Sequence, residues 1–188
     1  MSISRKEFFR KGCISGACLC GFGSLAMASN MDERLLSETK SNEENSVLVQ
    51  EWISMLISGI ESELDEESQR KVLKKASAAH YNHLKMDEML SEYIGDIEKF
   101  IKFIEDKWGW RIEYDKKNKV LIADENKNYC VCPILDYKPE RKYSAMCYCS
   151  EGFAEKMFST VSGVAVSAKV IESIRKGGER CKYEIQLA

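Results

Sequence analysis

Histidine is almost missing from this sequence of 188 residues: His80 and His83 are the only two. Any catalytic or metal set that uses imidazole must therefore draw on one short stretch. There are only two prolines, and the apolar patterning is regular, as in an ordinary globular domain able to bury its own core. No Gly-rich phosphate loop and no Gly-x-Ser-x-Gly elbow occurs, which removes the phosphate-cradling and nucleophile-elbow chemistries. The formal net charge is −2 with no basic stripe, so the footprint of a nucleic-acid binder is missing. Acidic residues are plentiful, but no pair stands out as a general acid and base. There is no internal repeat and no low-complexity tract.

The amino terminus carries a distinct signal. Ser4-Arg5-Lys6-Glu7-Phe8-Phe9-Arg10-Lys11 is basic, and Gly12 to Ala28 contains no charged residue. A basic segment, an apolar segment and the small side chains of Ala26-Met27-Ala28 are the parts of a secretory signal, with cleavage expected before Ser29. The stretch is short and rich in Gly and Ser for a spanning helix, which needs roughly 20 apolar residues. An uncleaved anchor is the alternative, and the membrane is then touched only through this segment. Cys18 and Cys20 have Ser15 and Ala17 three places before them, where a lipidated cysteine usually has a large aliphatic residue.

Ser4-Arg5-Lys6-Glu7-Phe8-Phe9-Arg10 resembles the twin-arginine translocation motif, with Lys6 where that motif has Arg. Arg and Lys are not equivalent where a guanidinium fork is read, so the partner is either the twin-arginine or the general secretion machinery. The resemblance implies export to the bacterial periplasm or envelope, in a folded state and often around a cofactor. The expected organisation is a signal peptide at 1–28, a polar linker at 29–46 and one domain at 47–188. Removing residues 1–28 leaves 24 basic and 29 acidic side chains, a net of −5.

Five of the eight cysteines remain after that removal: Cys130, Cys132, Cys147, Cys149 and Cys181. An odd number cannot pair completely within one chain, although exported proteins favour disulfides. Cys130-Val131-Cys132 and Cys147-Tyr148-Cys149 are each Cys-x-Cys. On strands, residues two apart project to one side, so two adjoining strands would gather four sulfurs. Thiolates in a tetrahedral set suit zinc, copper(I) or an iron–sulfur cluster. Disulfides between the two motifs, or reduced thiols, are the other readings, and Cys181 is a fifth ligand or a free thiol.

The remaining chain reads as helices first and strands later. Val49, Trp52, Ile53, Leu56, Ile57, Ile60 and Leu64 form one helical stripe. A second helix follows Asp65-Glu66-Glu67-Ser68, with Val72, Leu73, Ala76 and Ala79 inward. A third spans Met86 to Lys107, where Gly95 is placed to divide it. Beyond Trp108-Gly109-Trp110 the period changes to a hairpin, Arg111-Ile112-Glu113-Tyr114 against Val120-Leu121-Ile122-Ala123. Further strands are expected at Asn128–Pro133 and Tyr143–Cys149, then a short helix at Glu151–Thr160. A hairpin of Val164–Ile174 and Cys181–Leu187 closes the chain. The fold class is α+β, amino-terminal helices packed on an antiparallel sheet built mainly from the carboxyl-terminal half.

Cys149 and His80 are the candidate catalytic residues. Cys149 precedes the expected helix, whose amino terminus would lower a thiol pKa. His80 and His83 share a helix face at i and i+3. They are either ordinary imidazoles at a helix end, or His80 faces the cysteines as ligand or base.

Cys147-Tyr148-Cys149-Ser150-Glu151-Gly152-Phe153, Val161-Ser162-Gly163 and Gly177-Gly178-Glu179-Arg180-Cys181-Lys182-Tyr183 resemble the 4-vinyl reductase domain superfamily and its aminothiazoline-carboxylate hydrolase-like relatives. That resemblance implies an α+β small-molecule-binding domain with Cys147, Cys149 and Cys181 at its site. The leading expectation is an exported small-molecule- or metal-binding domain with a cysteine cluster, holding zinc or an iron–sulfur cluster. A hydrolase of a small carbon–nitrogen or thiazoline-type substrate is the alternative, and an envelope redox or metal-handling protein is the second.

Overall fold

The computed structural model describes residues 28–132, 134–135 and 143–188, with 28–44 as backbone only. The expected signal segment lies outside these residues except for Ala28. They form two units, one of the helix up to Met55 with residues 134–135, the other of Leu56–Cys132 and residues 143–188. Helix α1 spans Ala28–Glu63, so the stretch expected as a linker at 29–46 is helical. Among the described residues, no helix is long and apolar enough to cross a membrane.

The expected α1 stripe holds only in part. Ile57 is buried, whereas Trp52 and Leu56 are exposed.

The second unit contains the rest of the fold. Helix α2, Glu66–His83, starts at Asp65, whose carboxylate accepts the Ser68 N–H at 2.9 Å, a capping arrangement that satisfies one orphan donor of the first turn. Helix α3 is Met86–Leu90 and α4 is Ile97–Trp108. Gly95 between them sits at φ 83°, a left-handed conformation that glycine adopts without strain. The helix expected at 86–107 is divided there. Strands β1 (Arg111–Asp115) and β2 (Val120–Asp124) form the first hairpin. Helix α5 is Cys147–Ser162. Strands β3 (Val166–Glu172) and β4 (Lys182–Leu187) complete an antiparallel sheet in the order β1-β2-β4-β3. The expected class, α+β with the sheet mostly from the carboxyl-terminal half, is the observed one.

The core between α4, α5 and the sheet is made of Phe100, Ile104, Leu121, Met157, Phe158 and Ile185, all fully buried. The inward face of α2 is shifted from the expected one: Leu73, Ser77 and Tyr81 are buried, while Val72 is exposed. The cause is polar. Arg70 and Lys74 on that side of α2 meet Glu151 on α5, at 2.8 and 3.4 Å, and Lys74 meets Glu155 at 2.6 Å. The two carboxylates also accept backbone N–H groups of β3, Glu151 from Val170 and Glu155 from Ala168, both at 3.0 Å. At the same crossing, a Cβ on Gly152 would lie against the Lys74 carbonyl, 2.7 Å from Lys74 Cα and 2.8 Å from Ser77 Oγ. Only glycine allows this approach of α5 to α2.

Candidate functional site

The two Cys-x-Cys motifs do not lie on strands. Cys130 and Cys132 occupy an irregular segment after β2, and Cys147 and Cys149 are the first and third residues of α5. At 100° per residue, side chains two apart on a helix diverge by about 200°, so the same-face argument fails for that pair. The helix begins four residues earlier than expected because a short 3-10 turn, Ser144–Met146, leads into it. That turn is held by Glu61, whose carboxylate accepts the Ala145 N–H at 2.7 Å and the Ser144 hydroxyl at 3.1 Å.

The fold nonetheless gathers the sulfurs. Cys147 donates to the Ser173 hydroxyl at 3.4 Å. Cys130 accepts from Arg175 Nε at 3.2 Å. Ser173 and Arg175 belong to one turn after β3, and both are buried. Cys181 precedes β4, and its carbonyl accepts the Glu125 N–H at 2.9 Å. Among the described residues, Cys130, Cys132, Cys147, Cys149 and Cys181 form no disulfide.

Burial dominates their acidity. It pushes Cys147 up to about 11, and Cys149 and Cys181 up to about 12. Neighbouring sulfurs add to this. Cys130 and Cys132 act on Cys147, Cys132 and Cys147 act on Cys149, and Cys147 and Cys130 act on Cys181. The expectation that a helix start would acidify Cys149 is corrected here. A helix terminus contributes about 0.3–1 kcal/mol, whereas desolvation moves a buried group by up to about 3–5 pK units. Desolvation wins.

His80 is half-buried, and its ring lies 4.9 Å from that of Phe153, one helical turn beyond Cys149 on α5. His83 is exposed. Among the described residues, no three His, Cys, Asp or Glu side chains stand as a metal-holding group.

Sequence reasoning missed the polar residues around the sulfurs. Buried Glu125 accepts the Tyr183 hydroxyl at 3.0 Å, and burial followed by the Glu125 charge raises the Tyr183 pKa. Tyr148 lies between two cations, Arg70 at 4.4 Å and Lys176 at 4.8 Å from its ring centre. Arg175 gave no sequence signal beyond membership of a polar turn. An open groove of about 720 Å³ is lined by Arg111, Asn126, Lys127, Tyr129, Ile174 and Arg180, among others, and by none of the described cysteines.

The sequence matches no curated protein. In fold it is similar to a trafficking protein particle complex subunit 3 from Naegleria fowleri, covalently bound to palmitic acid. The TM-score is 0.51 at 11% identity, covering 78% of this chain and 96% of that one. A second similar structure is the phenol-responsive sensory domain of the transcription activator PoxR with phenol, at TM-score 0.43 and 10% identity, over 72% of each chain. Neither is a 4-vinyl reductase, the superfamily that the carboxyl-terminal motifs resemble. A family model covers nearly the whole sequence, residues 17–188, and the chain belongs to that family of unknown function, DUF6144.

Proposed function

We propose that this chain is a binding domain whose ligand is held by the cysteine cluster, and that a soft metal ion is the ligand class its donors fit. The observation that carries the reading is that one buried turn, Ser173–Arg175, holds the sulfurs of Cys130 and Cys147, which come from a loop and a helix start. A nucleophile needs thiolate at working pH, and burial holds Cys147, Cys149 and Cys181 protonated there. That argues for binding over hydrolysis. A thiophilic ion reverses the balance by displacing the protons as it binds. Zinc is the simplest occupant, and an iron–sulfur cluster uses the same donors. Loading requires the Cys130–Cys132 segment to adjust against the start of α5. The export-signal-like segment at 1–28 supports a site of action in the bacterial envelope, with the metal loaded before export.

The test is elemental analysis and thiol titration of the full chain purified under anaerobic conditions. Near-stoichiometric zinc or iron is expected, and it should be lost in the Cys147→Ser, Cys149→Ser double variant. Metal-free protein that develops no thiolate-to-metal absorbance on cadmium addition would overturn the reading.

A further inference from the structure

The groove between β1, the loop that follows β2 and the turn before β4 is cationic, in a chain whose formal net charge is −2. Among its described lining residues, Arg111, Lys127 and Arg180 stand against a single carboxylate, Glu179. Only Arg180 is compensated. Its Nη1 lies 3.1 Å from Asp124 Oδ2, and the other oxygen of Asp124 accepts the Asn126 N–H at 2.7 Å. Arg111 is directly across from Asp124 in the β1–β2 register, yet it forms no ion pair among the described residues. Lys127 is half-buried, with Nζ 3.5 Å from the point that a Cβ on Gly109 would occupy. It too has no anionic partner among the described residues. An anion placed between such like charges relieves their repulsion.

Both walls are pinned by their own hydrogen bonds. Asn126 takes a left-handed conformation, φ 54°, and its side-chain amide donates to the Gly109 carbonyl at 3.2 Å. That bond ties the loop carrying Lys127 and Tyr129 to the start of β1, where Arg111 lies. On the opposite wall, Glu172 accepts the Glu179 and Arg180 N–H groups at 2.9 and 3.1 Å and the Lys182 ammonium at 2.7 Å. A Cβ on Gly178 would fall 2.6 Å from Glu172 Cγ, so the turn closes tightly on that carboxylate. Cations held on fixed walls lose little freedom when a ligand arrives.

The groove measures about 720 Å³, a size typical of small-molecule sites. Guanidinium groups match carboxylate and phosphate oxygens in pairs. The exposed Tyr129 ring and the half-buried Ile174 side chain supply apolar surface in the same groove. We infer that the groove binds a small organic anion, an oxyanion head of carboxylate or phosphate type on an aromatic or short hydrocarbon body. Arg111 and Lys127 take the head, and Tyr129 and Ile174 take the body. The site uses no cysteine, so it stands or falls separately from the metal reading.

The experiment titrates the full chain with benzoate, phenyl phosphate and neutral benzyl alcohol, followed by heteronuclear NMR of the backbone amides. Saturable shifts at Lys127, Asn128, Tyr129 and Glu179 are expected with at least one of the two anions and not with benzyl alcohol. The tighter anion identifies the head group as carboxylate or phosphate. Arg111→Ala and Lys127→Ala should each weaken that binding about tenfold or more, the scale of a lost hydrogen bond to a charged group. Lys116→Ala, which removes a charge elsewhere on the β1–β2 hairpin, should leave it unchanged. No saturable shift with either anion, equal binding of benzyl alcohol, or the same weakening in Lys116→Ala would overturn the inference. So would unchanged affinity in Arg111→Ala, a variant at an exposed position that should keep the fold.

Discussion

Helix α5 carries two buried polar centres within five residues, and they are built on opposite principles. Glu151, with a fully buried side chain, is met by Arg70, Lys74 and the Val170 N–H. Every partner is of opposite sign or is a hydrogen-bond donor. Two residues earlier, Cys149 is buried beside groups of its own kind, Cys132 and Cys147, and burial keeps it neutral. The first centre is saturated and holds α2, α5 and β3 together. The second is neutral, its thiols kept protonated by burial. Burial of a polar group alone does not distinguish structure from function; the identity of its partners does.

Glu151→Ala tests that contrast most severely. It takes from Arg70 its buried partner, leaving only the exposed Glu66 at 3.2 Å, and strands a β3 N–H; breaking a buried pair costs about 3–5 kcal/mol. Urea unfolding should show a loss at the lower end of that range, because Arg70 and Lys74 are 27% and 24% exposed. Next comes Gly152→Ala, whose added methyl group must push α5 off the Lys74 backbone. Overpacking of this kind costs about 1–3 kcal/mol, read as a lowered Tm with intact secondary structure.

The thiol centre should respond to alkali instead. Folded Cys147, Cys149 and Cys181 titrate near 11–12, above the ordinary value of 9.0. Below pH 9 both folded and unfolded states hold these protons, so stability is full. Between pH 9 and about 11–12 the unfolded chain loses them first, and stability falls by about 1.4 kcal/mol per pH unit per thiol. Denaturation at pH 8 and pH 10.5 should show that fall, and Cys149→Ser should make it shallower. At the small end stands the exposed pair Lys116–Glu98. Lys116→Ala should leave unfolding unchanged within error, since exposed ion pairs contribute little.

Much of the fold was legible because the hairpins announce themselves. Ile112 and Tyr114 alternate with polar neighbours, and Tyr114 pairs with Leu121 in the register that the turn at 115–119 implies. The break at Gly95 was legible for the same local reason. The start of α5 was not. Tyr143 to Cys149 reads as a strand by side-chain type, so the helix was expected to begin only at Glu151. Nor was the inward face of α2, because Arg70 and Lys74 turn inward for carboxylates 81 residues away.

The site was legible as a set of residues and illegible as an arrangement. The cysteine spacing named all five thiols. Nothing in sequence linked Cys130 to Arg175, 45 positions on, or Cys147 to Ser173. His80 was named for its type, and the structure places its ring on Phe153.

The two carboxylates of α5 that accept β3 N–H groups have a consequence beyond holding helices in place. Strand β3 lies at the end of the sheet, and a bare strand there is a template on which another chain can zip. Glu151 and Glu155 occupy the two donors such a chain would seek, at Val170 and Ala168, and the Lys74 ammonium takes the Ala168 carbonyl at 3.2 Å. The same side chains that orient the thiol-bearing helix thus guard the protein against self-association. A variant that loosens them should lose solubility before it loses its fold.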